Sequence, residues 1–169
     1  MASCAAYGSI NKRKPAEVAE RITLDTNILV YAFDESEPVK QPVAQDYLWR
    51  AHDAGAILTT TALGEFFFVM TRKAKVSPLK AGRIMGDLIT IFPSCGYGVD
   101  ALEAAALAVA GGRFSFWDAV LLSAAETAGC TICISEDMKD GTSFGNIKIR
   151  NLFDKSGGVS AAATAALAP

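Results

Sequence analysis

Residues 131–137 read Thr131-Ile132-Cys133-Ile134-Ser135-Glu136-Asp137. The first four residues are apolar or β-branched, which is typical of a strand buried on both faces of a parallel sheet. A hydroxyl and two acids follow at once. Because ligands of parallel α/β sheets bind at the carboxyl ends of the strands, these polar residues mark a candidate site.

Outward from this strand, helix and strand patterns alternate. The predicted strands are 21–24, 56–59, 90–92, 131–135 and 147–150, and the last alternates in polarity as an edge strand does. The predicted helices are 39–52, 61–72, 77–89, 100–110 and 115–128. Helices between successive strands predict βαβ units. We therefore expect an α/β fold with a mostly parallel sheet and helices on both faces.

The chain has 169 residues, of which 51% are hydrophobic, and a formal net charge of −2. This length suits one domain, which we place at residues 21–153. An N-terminal extension (1–20) precedes it. A tail (154–169) follows it, and we expect this Gly-, Ser- and Ala-rich tail to be flexible, either mostly disordered or a fraying helix.

No run reaches the roughly 18 apolar residues of a membrane span. Residues 1–20 also lack the apolar core of a signal peptide. We therefore expect a cytoplasmic protein. The near-neutral charge restricts any nucleic-acid contact to a local basic patch.

The histidine and cysteine content argues against two classes of site. His52 is the single histidine, which excludes a His-rich metal centre. No G-x-S-x-G motif is present for a serine-hydrolase triad. Cys130 and Cys133 form a lone C-x-x-C, without the second pair that a zinc site needs. We interpret both as buried apolar residues in a reducing compartment.

Four acids fall where a parallel sheet places its ligand site. Asp25 follows the first strand and Asp137 follows the buried one, while Glu65 and Asp118 lie in the first turns of helices. Three of these acids also fit a purely structural role. Asp25 suits a helix cap, and Asp137 suits a solvated loop position. Asp118 and Ser115, three residues apart, suit a capping box.

Glu65 and Asp118 lie on helices that are apolar nearly all round, which predicts burial. The sequence offers no obvious basic partner for them. Two carboxylates about 4 Å apart repel by about 4 kcal/mol at an effective dielectric of 20. A cluster of such acids therefore requires raised pKa values or a divalent cation. Oxygen ligands alone favour Mg²⁺ or Mn²⁺ over Zn²⁺, and such a site activates a water for in-line attack on a phosphate.

Four segments carry these acids: Leu24-Asp25-Thr26-Asn27, Leu63-Gly64-Glu65-Phe66, Phe116-Trp117-Asp118-Ala119 and residues 134–141, Ile-Ser-Glu-Asp-Met-Lys-Asp-Gly. In this order they resemble the conserved segments of PIN domains, and they are most similar to those of the VapC-type toxins of prokaryotic toxin–antitoxin pairs. The resemblance covers residues 21 to about 153.

The resemblance implies a three-layer α/β/α sandwich and a metal-dependent endoribonuclease that acts as a toxin and hydrolyses RNA phosphodiesters. It assigns an acidic quartet, which consists of Asp25, Glu65, Asp118 and Asp137. The resemblance implies that the ion is Mg²⁺ or Mn²⁺ and that its ligands are Asp25, Asp118 and Asp137. The supporting polar positions are Thr26, Asn27 and Ser135. Of the adjacent Glu136 and Asp137, we assign the site to Asp137. The implied partners are an antitoxin protein and a second copy in a homodimer.

Residues 72–83 contain no acid and hold five basic side chains, which are Arg72, Lys73, Lys75, Lys80 and Arg83. We predict that this basic patch binds RNA phosphates beside the acidic pocket. A solvated helical surface and an antitoxin-docking surface are the alternatives. A second basic run, Lys12-Arg13-Lys14, would either assist or belong to a loose terminus.

Functions from other classes stay open. A phospho-acceptor domain also has acids at strand ends, but it would carry paired acids where this chain has Asp25-Thr26-Asn27. A PIN-like fold kept as a non-catalytic binding module is disfavoured by an intact quartet. The sequence does not select a target among messenger, transfer and ribosomal RNA.

Overall fold

The computed structural model describes residues 20–168. The predicted N-terminal extension, except Glu20, and the run Lys12-Arg13-Lys14 lie outside these residues. The described strands are β1 (Ile22–Leu24), β2 (Leu58–Thr59), β3 (Ser94–Cys95), β4 (Ile132–Ser135), β5 (Ser143–Phe144) and β6 (Ile147–Asn151). The described helices are α1 (Thr26–Phe33), α2 (Lys40–Asp53), α3 (Thr60–Arg72), α4 (Pro78–Ile91), α5 (Val99–Ala110), α6 (Phe116–Thr127) and α7 (Ala161–Ala166).

The central sheet is mostly parallel. Its strand order is β1-β4-β6-β5, in which only the β5–β6 pair is antiparallel. The parallel pair β2–β3 continues the sheet, because an isolated parallel bridge joins Thr23 of β1 to Ile57. Helices flank this sheet, which confirms the predicted α/β class.

Strands β1 and β4 form the centre of the core. Every residue of both strands is buried, as the uninterrupted apolar run of β4 predicts. Helix α1 packs against β4, and its residues Ile28 and Leu29 are fully buried. Because the centre of the sheet is rigid and dry, polar side chains at its carboxyl edge are held in fixed positions.

Two strand assignments differ from the sequence prediction. Residues 90–91, predicted as strand, belong to α4, where the Thr90 hydroxyl donates to the Gly86 carbonyl. Pro93 then ends the helix, since the residue before a proline avoids helical geometry, and the strand forms later, at β3. Strand β6 keeps its predicted alternation but is not at the edge, because the two-residue β5 covers it.

For residues 154–169 the sequence left open a mostly disordered tail or a fraying helix, and the structure has a helix there. The tail contains helix α7, whose N-cap is Ser160, with the Ala163 backbone N–H as donor to Ser160 Oγ. Ala163 is fully buried, and its carbonyl accepts a hydrogen bond from the buried Tyr47 hydroxyl at 2.9 Å. Among the described helices, none is long and apolar enough to cross a membrane.

Candidate active site

The register between β1 and β4 brings two polar side chains together at the carboxyl edge of the sheet. Leu24 pairs with Ile134, and the Asp25 backbone N–H donates to the Ile134 carbonyl at 2.9 Å. Asp25, directly after β1, therefore lies beside Ser135, the last residue of β4. Asp25 is 4% exposed and Ser135 is fully buried.

The Asp25 carboxylate accepts three hydrogen bonds. Its Oδ1 accepts from the Thr26 backbone N–H at 2.7 Å, which makes Asp25 the N-cap of α1. Its Oδ2 accepts from Ser135 Oγ at 2.7 Å and from Asn27 Nδ2 at 2.9 Å. Asp25 therefore caps α1, as the helix-cap interpretation predicts, and its second carboxylate oxygen faces Ser135 and Asn27 at the strand ends.

Asp137 shares two of these donors. Its Oδ1 lies 3.0 Å from Ser135 Oγ and 2.7 Å from Asn27 Nδ2. Because a hydroxyl carries a single hydrogen, Ser135 donates to one of the two carboxylates at a time. Ser135 and Asn27 thus hold the carboxylates of Asp25 and Asp137 close to one another.

The neighbouring acid, Glu136, turns away from this cluster. Its Oε1 forms an ion pair with Lys40 Nζ at 2.6 Å, and that ammonium also lies 3.2 Å from the Tyr31 hydroxyl. Of the two adjacent acids, the structure therefore directs Asp137 toward Asp25. The sequence showed no sign of the Lys40 partner, which comes from a distant helix.

Glu65 is exposed rather than buried, contrary to the sequence prediction. Helix α3 has a solvent-facing stripe that includes Gly64, Glu65 and Phe68, so its apolar composition does not mean burial all round. Glu65 Oε2 accepts a hydrogen bond from the Thr26 hydroxyl at 2.9 Å. This bond joins α3 to the first turn of α1 and orients the carboxylate toward the strand-end acids.

Asp118 lies half-buried in the first turn of α6. The cap of this helix is the Ser115 hydroxyl, which accepts from the Asp118 backbone N–H at 3.2 Å. The capping function therefore requires the Asp118 backbone and leaves its carboxylate available to the neighbouring cavity.

The four predicted acids line one cavity of about 240 Å³. They arrive from different elements: the end of β1, helix α3, helix α6 and the segment after β4. The other lining residues are Thr26, Asn27, Val30, Tyr31, Val69 and Lys73. This space is the acidic cavity, and it lies at the edge of the sheet where the strand-end argument expected a ligand.

Electrostatic repulsion is visible in the acidic cavity. Burial first, and then the negative charges of Asp137 and Asp118, raise the pKa of Asp25 from 3.8 to about 7, against the opposing hydrogen bonds from Ser135 and Thr26. The charges of these acids therefore act on one another across the cavity, which favours either a bound proton or a cation.

The sequence prediction placed Lys73 in the basic patch beside the acidic pocket rather than on its wall, and it did not identify Tyr31. Lys73 is a cation at its rim, although the sequence offered no obvious basic partner, and Tyr31 lies on its wall. A signal for Lys73 was present: Glu65, Val69 and Lys73 are spaced four residues apart, which places them on one face of α3 and its C-cap.

Solved structures show which fold this is. The chain is similar to VapC20 of Mycobacterium tuberculosis, a sarcin-ricin loop cleaving toxin, with a TM-score of 0.56, 18% identity and coverage of 75% of this chain and 98% of that chain. It is also similar to DNA-bound VapBC from Salmonella typhimurium, with a TM-score of 0.57, 13% identity and coverage of 78% and 98%. VapBC2 of Rickettsia felis, bound to a promoter DNA fragment, is similar with a TM-score of 0.56 and 14% identity, and the match covers 78% of this chain and 98% of that chain.

The chain has the PIN-domain fold. No family model matches its sequence, and no curated protein does. At identities of 13–18% the likeness concerns the fold, so the chemistry has to be argued from the side chains that this PIN-domain fold brings together.

The donors of the acidic cavity suit a hard divalent ion, which binds carboxylate and carbonyl oxygens. The buried Asn27 Oδ1 has no hydrogen-bond partner and is a further oxygen of this kind. Within residues 20–168, however, no three His, Cys, Asp or Glu side chains converge tightly enough to hold a metal as they stand. Asp25 and Asp137 are bonded to Asn27 and Ser135 instead, so ion binding requires these side chains to rotate.

The predicted basic patch lies at the end of α3, in the following turn and on α4. All five of its side chains are exposed: Arg72, Lys73, Lys75, Lys80 and Arg83. Lys73 connects this patch to the acidic cavity. Lys80 Nζ lies 3.6 Å from Glu35 Oε1, and both side chains are largely exposed, so this pair leaves Lys80 accessible to other anions.

Proposed function

We propose that this protein is a metal-dependent endoribonuclease, and that it is the toxin of a prokaryotic toxin–antitoxin pair. The observation that carries the proposal is the acidic cavity, where four acids from four separate elements line one space at the carboxyl edge of a PIN-domain sheet. A structural role explains the Asp25 side-chain cap of α1 and the Asp118 backbone N–H that donates to Ser115. It gives no reason for four carboxylates to share this space.

The ion that best suits these donors is Mg²⁺ or Mn²⁺, and Asp25, Asp118 and Asp137 would hold it. When bound, such an ion would neutralise the carboxylates, polarise a phosphate and lower the pKa of a water. The raised pKa of Asp25 supports a cation site, since burial and the nearby negative charges of Asp137 and Asp118 disfavour the ionised carboxylate, which a cation would stabilise.

The chain's own residues provide the positioning. Asn27 and Ser135 fix the carboxylates of Asp25 and Asp137, and Thr26 fixes Glu65. Lys73 at the rim supplies a positive charge for a phosphate oxygen, which offsets the repulsion between an acidic cavity and a polyanion.

RNA as the substrate is supported by the toxin VapC20, whose fold this chain shares and which cleaves the sarcin-ricin loop. An antitoxin partner is supported by the two VapBC structures. A homodimer, a cytoplasmic location and RNA binding by the basic patch belong to the same proposal. The specific RNA is left open.

A cleavage assay on a mixture of single-stranded RNAs tests the activity. We expect cleavage with Mg²⁺ or Mn²⁺, loss of cleavage in EDTA, and loss in Asp25→Asn and Asp118→Asn. The matched control is Asp87→Asn, an exposed acid on α4 outside the acidic cavity, which should cleave normally. Full activity in EDTA, or in Asp25→Asn, would contradict the proposal.

A further inference from the structure

A second cavity adjoins the acidic cavity. Its volume is about 420 Å³, and its lining residues are Thr60, Thr61, Gly64, Glu65, Phe68, Tyr97 and Trp117. Glu65 lines both cavities, and Trp117 directly precedes Asp118 of the acidic cavity. We refer to this second space as the aromatic cavity.

Its three aromatic side chains come from separate parts of the chain and are all exposed. Phe68 of α3 is 58% exposed, Tyr97 before α5 is 42% exposed and Trp117 of α6 is 54% exposed. Exposed aromatic residues gathered around one concave space are typical of a binding site. The core does not need them, because the buried faces of α3 and α6 are formed by other residues.

We propose that the aromatic cavity binds an unpaired nucleobase of the RNA whose phosphate occupies the acidic cavity. The inference rests on the proposed function, which it extends to a recognition subsite. Single-stranded RNA is bound mainly by stacking of splayed bases on aromatic side chains. Because the shared wall at Glu65 makes the two cavities neighbours, one strand can place a base in one and an adjacent phosphate in the other.

The polar wall of the aromatic cavity suits a base better than a purely apolar ligand. Thr60 and Thr61 lie there, and the buried Thr61 hydroxyl has no hydrogen-bond partner. The edges of nucleobases offer donors and acceptors to such groups. Glu65 adds an acceptor at the junction with the acidic cavity.

Gly64 provides a way to close the cavity without removing an aromatic residue. A Cβ built at Gly64 meets nothing within 4 Å, and the residue is exposed within helix α3. The variant Gly64→Leu should therefore fold while its side chain fills part of the cavity. It keeps the test decisive even where a Trp117 variant fails to fold.

Fluorescence of Trp117 reports on base stacking directly. The chain has two tryptophans, so Trp49→Phe leaves Trp117 as the single emitter. The probes are hexa-adenylate and hexa-uridylate RNA, with a hexameric abasic ribose-phosphate chain as the matched ligand, all in EDTA to prevent cleavage. We expect at least one base-bearing hexamer to quench Trp117 and the abasic chain to leave its emission unchanged.

Affinity measurements by anisotropy give the second test. Trp117→Ala, Phe68→Ala and Gly64→Leu should each weaken binding of the quenching hexamer by roughly 5- to 150-fold. They should leave binding of the abasic chain unchanged. Leu107→Ala is the control, since Leu107 is an exposed apolar residue of α5 outside the cavity, and it should bind both ligands like the parent.

The inference would be overturned if neither hexamer binds, or if the hexamers bind and leave the Trp117 emission unchanged. It would also be overturned if Trp117→Ala or Gly64→Leu turns a dimer into a monomer in sedimentation, because the cavity would then hold a second copy of the chain. The failure of the proposed function looks different. Quenching by a hexamer without any metal-dependent cleavage would refute the nuclease and support the base subsite, whereas normal cleavage without quenching would refute the subsite alone.

Discussion

Asp25 combines two requirements that oppose each other. As the N-cap of α1 it serves the fold best when its carboxylate is charged, because the cap is a hydrogen bond from the Thr26 backbone N–H. As a buried group beside Asp137 and Asp118 it is destabilised by the same charge. A residue in this position makes the metal-free protein sensitive to pH.

We expect the metal-free protein to lose stability as the pH rises from about 4 to 7. The pKa of Asp25 is raised from 3.8 to about 7 in the folded state, so the folded protein binds this proton more tightly than the unfolded chain does. The stabilisation that the Asp25 proton gives to the folded state is complete below pH 4 and is lost as the pH rises through 7. The free energy of unfolding should fall by about 4 kcal/mol at most over this range. Urea unfolding in EDTA at pH 5, 6, 7 and 8 measures it.

The substitution Asp25→Asn should flatten this pH dependence, whatever its effect on stability at pH 5, because it removes the titrating group. Asp87→Asn, on the exposed side of α4, should keep the slope of the parent. A parent protein whose free energy of unfolding is constant between pH 5 and 8 would show that Asp25 does not carry the repulsion.

Gly145 tests a second residue-level constraint, away from the acidic cavity. Its φ is +51°, and a Cβ there would lie 2.0 Å from Glu126 Oε1, which accepts from the Asn146 backbone N–H at 2.7 Å. Gly145→Ala should lower the free energy of unfolding by about 2–4 kcal/mol, because alanine is strained in the left-handed backbone conformation and its Cβ displaces the Glu126 hydrogen bond. Gly55→Ala, with φ +77° and open space around its Cβ, should cost only the backbone part, and equal losses in thermal or urea unfolding would contradict the role of Glu126.

At the scale of elements, helix α6 separates capping from site chemistry. Ser115 Oγ accepts from the Asp118 backbone N–H, so Ser115→Ala should destabilise the protein by about 1 kcal/mol. Asp118→Asn keeps that backbone bond and removes one charge from the acidic cavity, at the loss of a favourable helix-dipole contact of about 0.5 kcal/mol. In EDTA its thermal midpoint should therefore equal or exceed that of the parent. A large drop would show that the carboxylate itself is structural.

The positions of the strand-end acids were predictable because parallel strands end at one edge of a sheet. That rule places Asp25 and Asp137 together without any knowledge of side-chain contacts. The direction of Glu136 was not predictable in the same way, since it depends on an ion pair with Lys40 from a distant helix. Sequence patterns predict where a residue lies within a strand or helix, but they rarely predict which distant side chain it will pair with.

Helix α3 shows why burial was overestimated. Its sequence is apolar nearly all round and so predicted burial on every side, but Phe68 is 58% exposed and lines the aromatic cavity. The same error placed Glu65 in the interior. Hydrophobic pattern identifies the buried face through Leu63, Phe66 and Met70, yet it cannot distinguish a core aromatic from one exposed at a binding site.

At the scale of the whole molecule, the sequence did not decide between a disordered and a helical end of the chain. An Ala-rich segment without charges has little local information, so composition favoured a flexible tail. Helix α7 is instead fixed by tertiary contacts, since Ala163 and Ala166 are buried and Tyr47 donates to the Ala163 carbonyl. Tertiary packing of this kind stabilises a short helix more than the intrinsic helix propensity of its residues does.

The distribution of charge over the molecule leads to the last prediction. The formal net charge is −2, so RNA binding requires a local positive surface, and the basic patch is the candidate that adjoins the acidic cavity. Replacing Lys73, Lys75 and Lys80 together by Ala should weaken RNA binding and lower the slope of log affinity against log salt by about 2, at about 0.7 per phosphate contact for single strands. Filter binding in EDTA across a salt series measures this slope.

Lys148→Ala is the matched control for the basic patch. Lys148 is exposed near the amino end of β6 and pairs with Ile132, whereas the acidic cavity lies at the carboxyl ends of the strands, so its loss should leave the slope unchanged. The triple variant should also retain cleavage at saturating RNA, since the acids are intact, although the loss of Lys73 from the rim should slow it. An unchanged slope in the triple variant would mean that the patch is a solvated or antitoxin-facing surface, and that RNA reaches the acids from the side of the aromatic cavity alone.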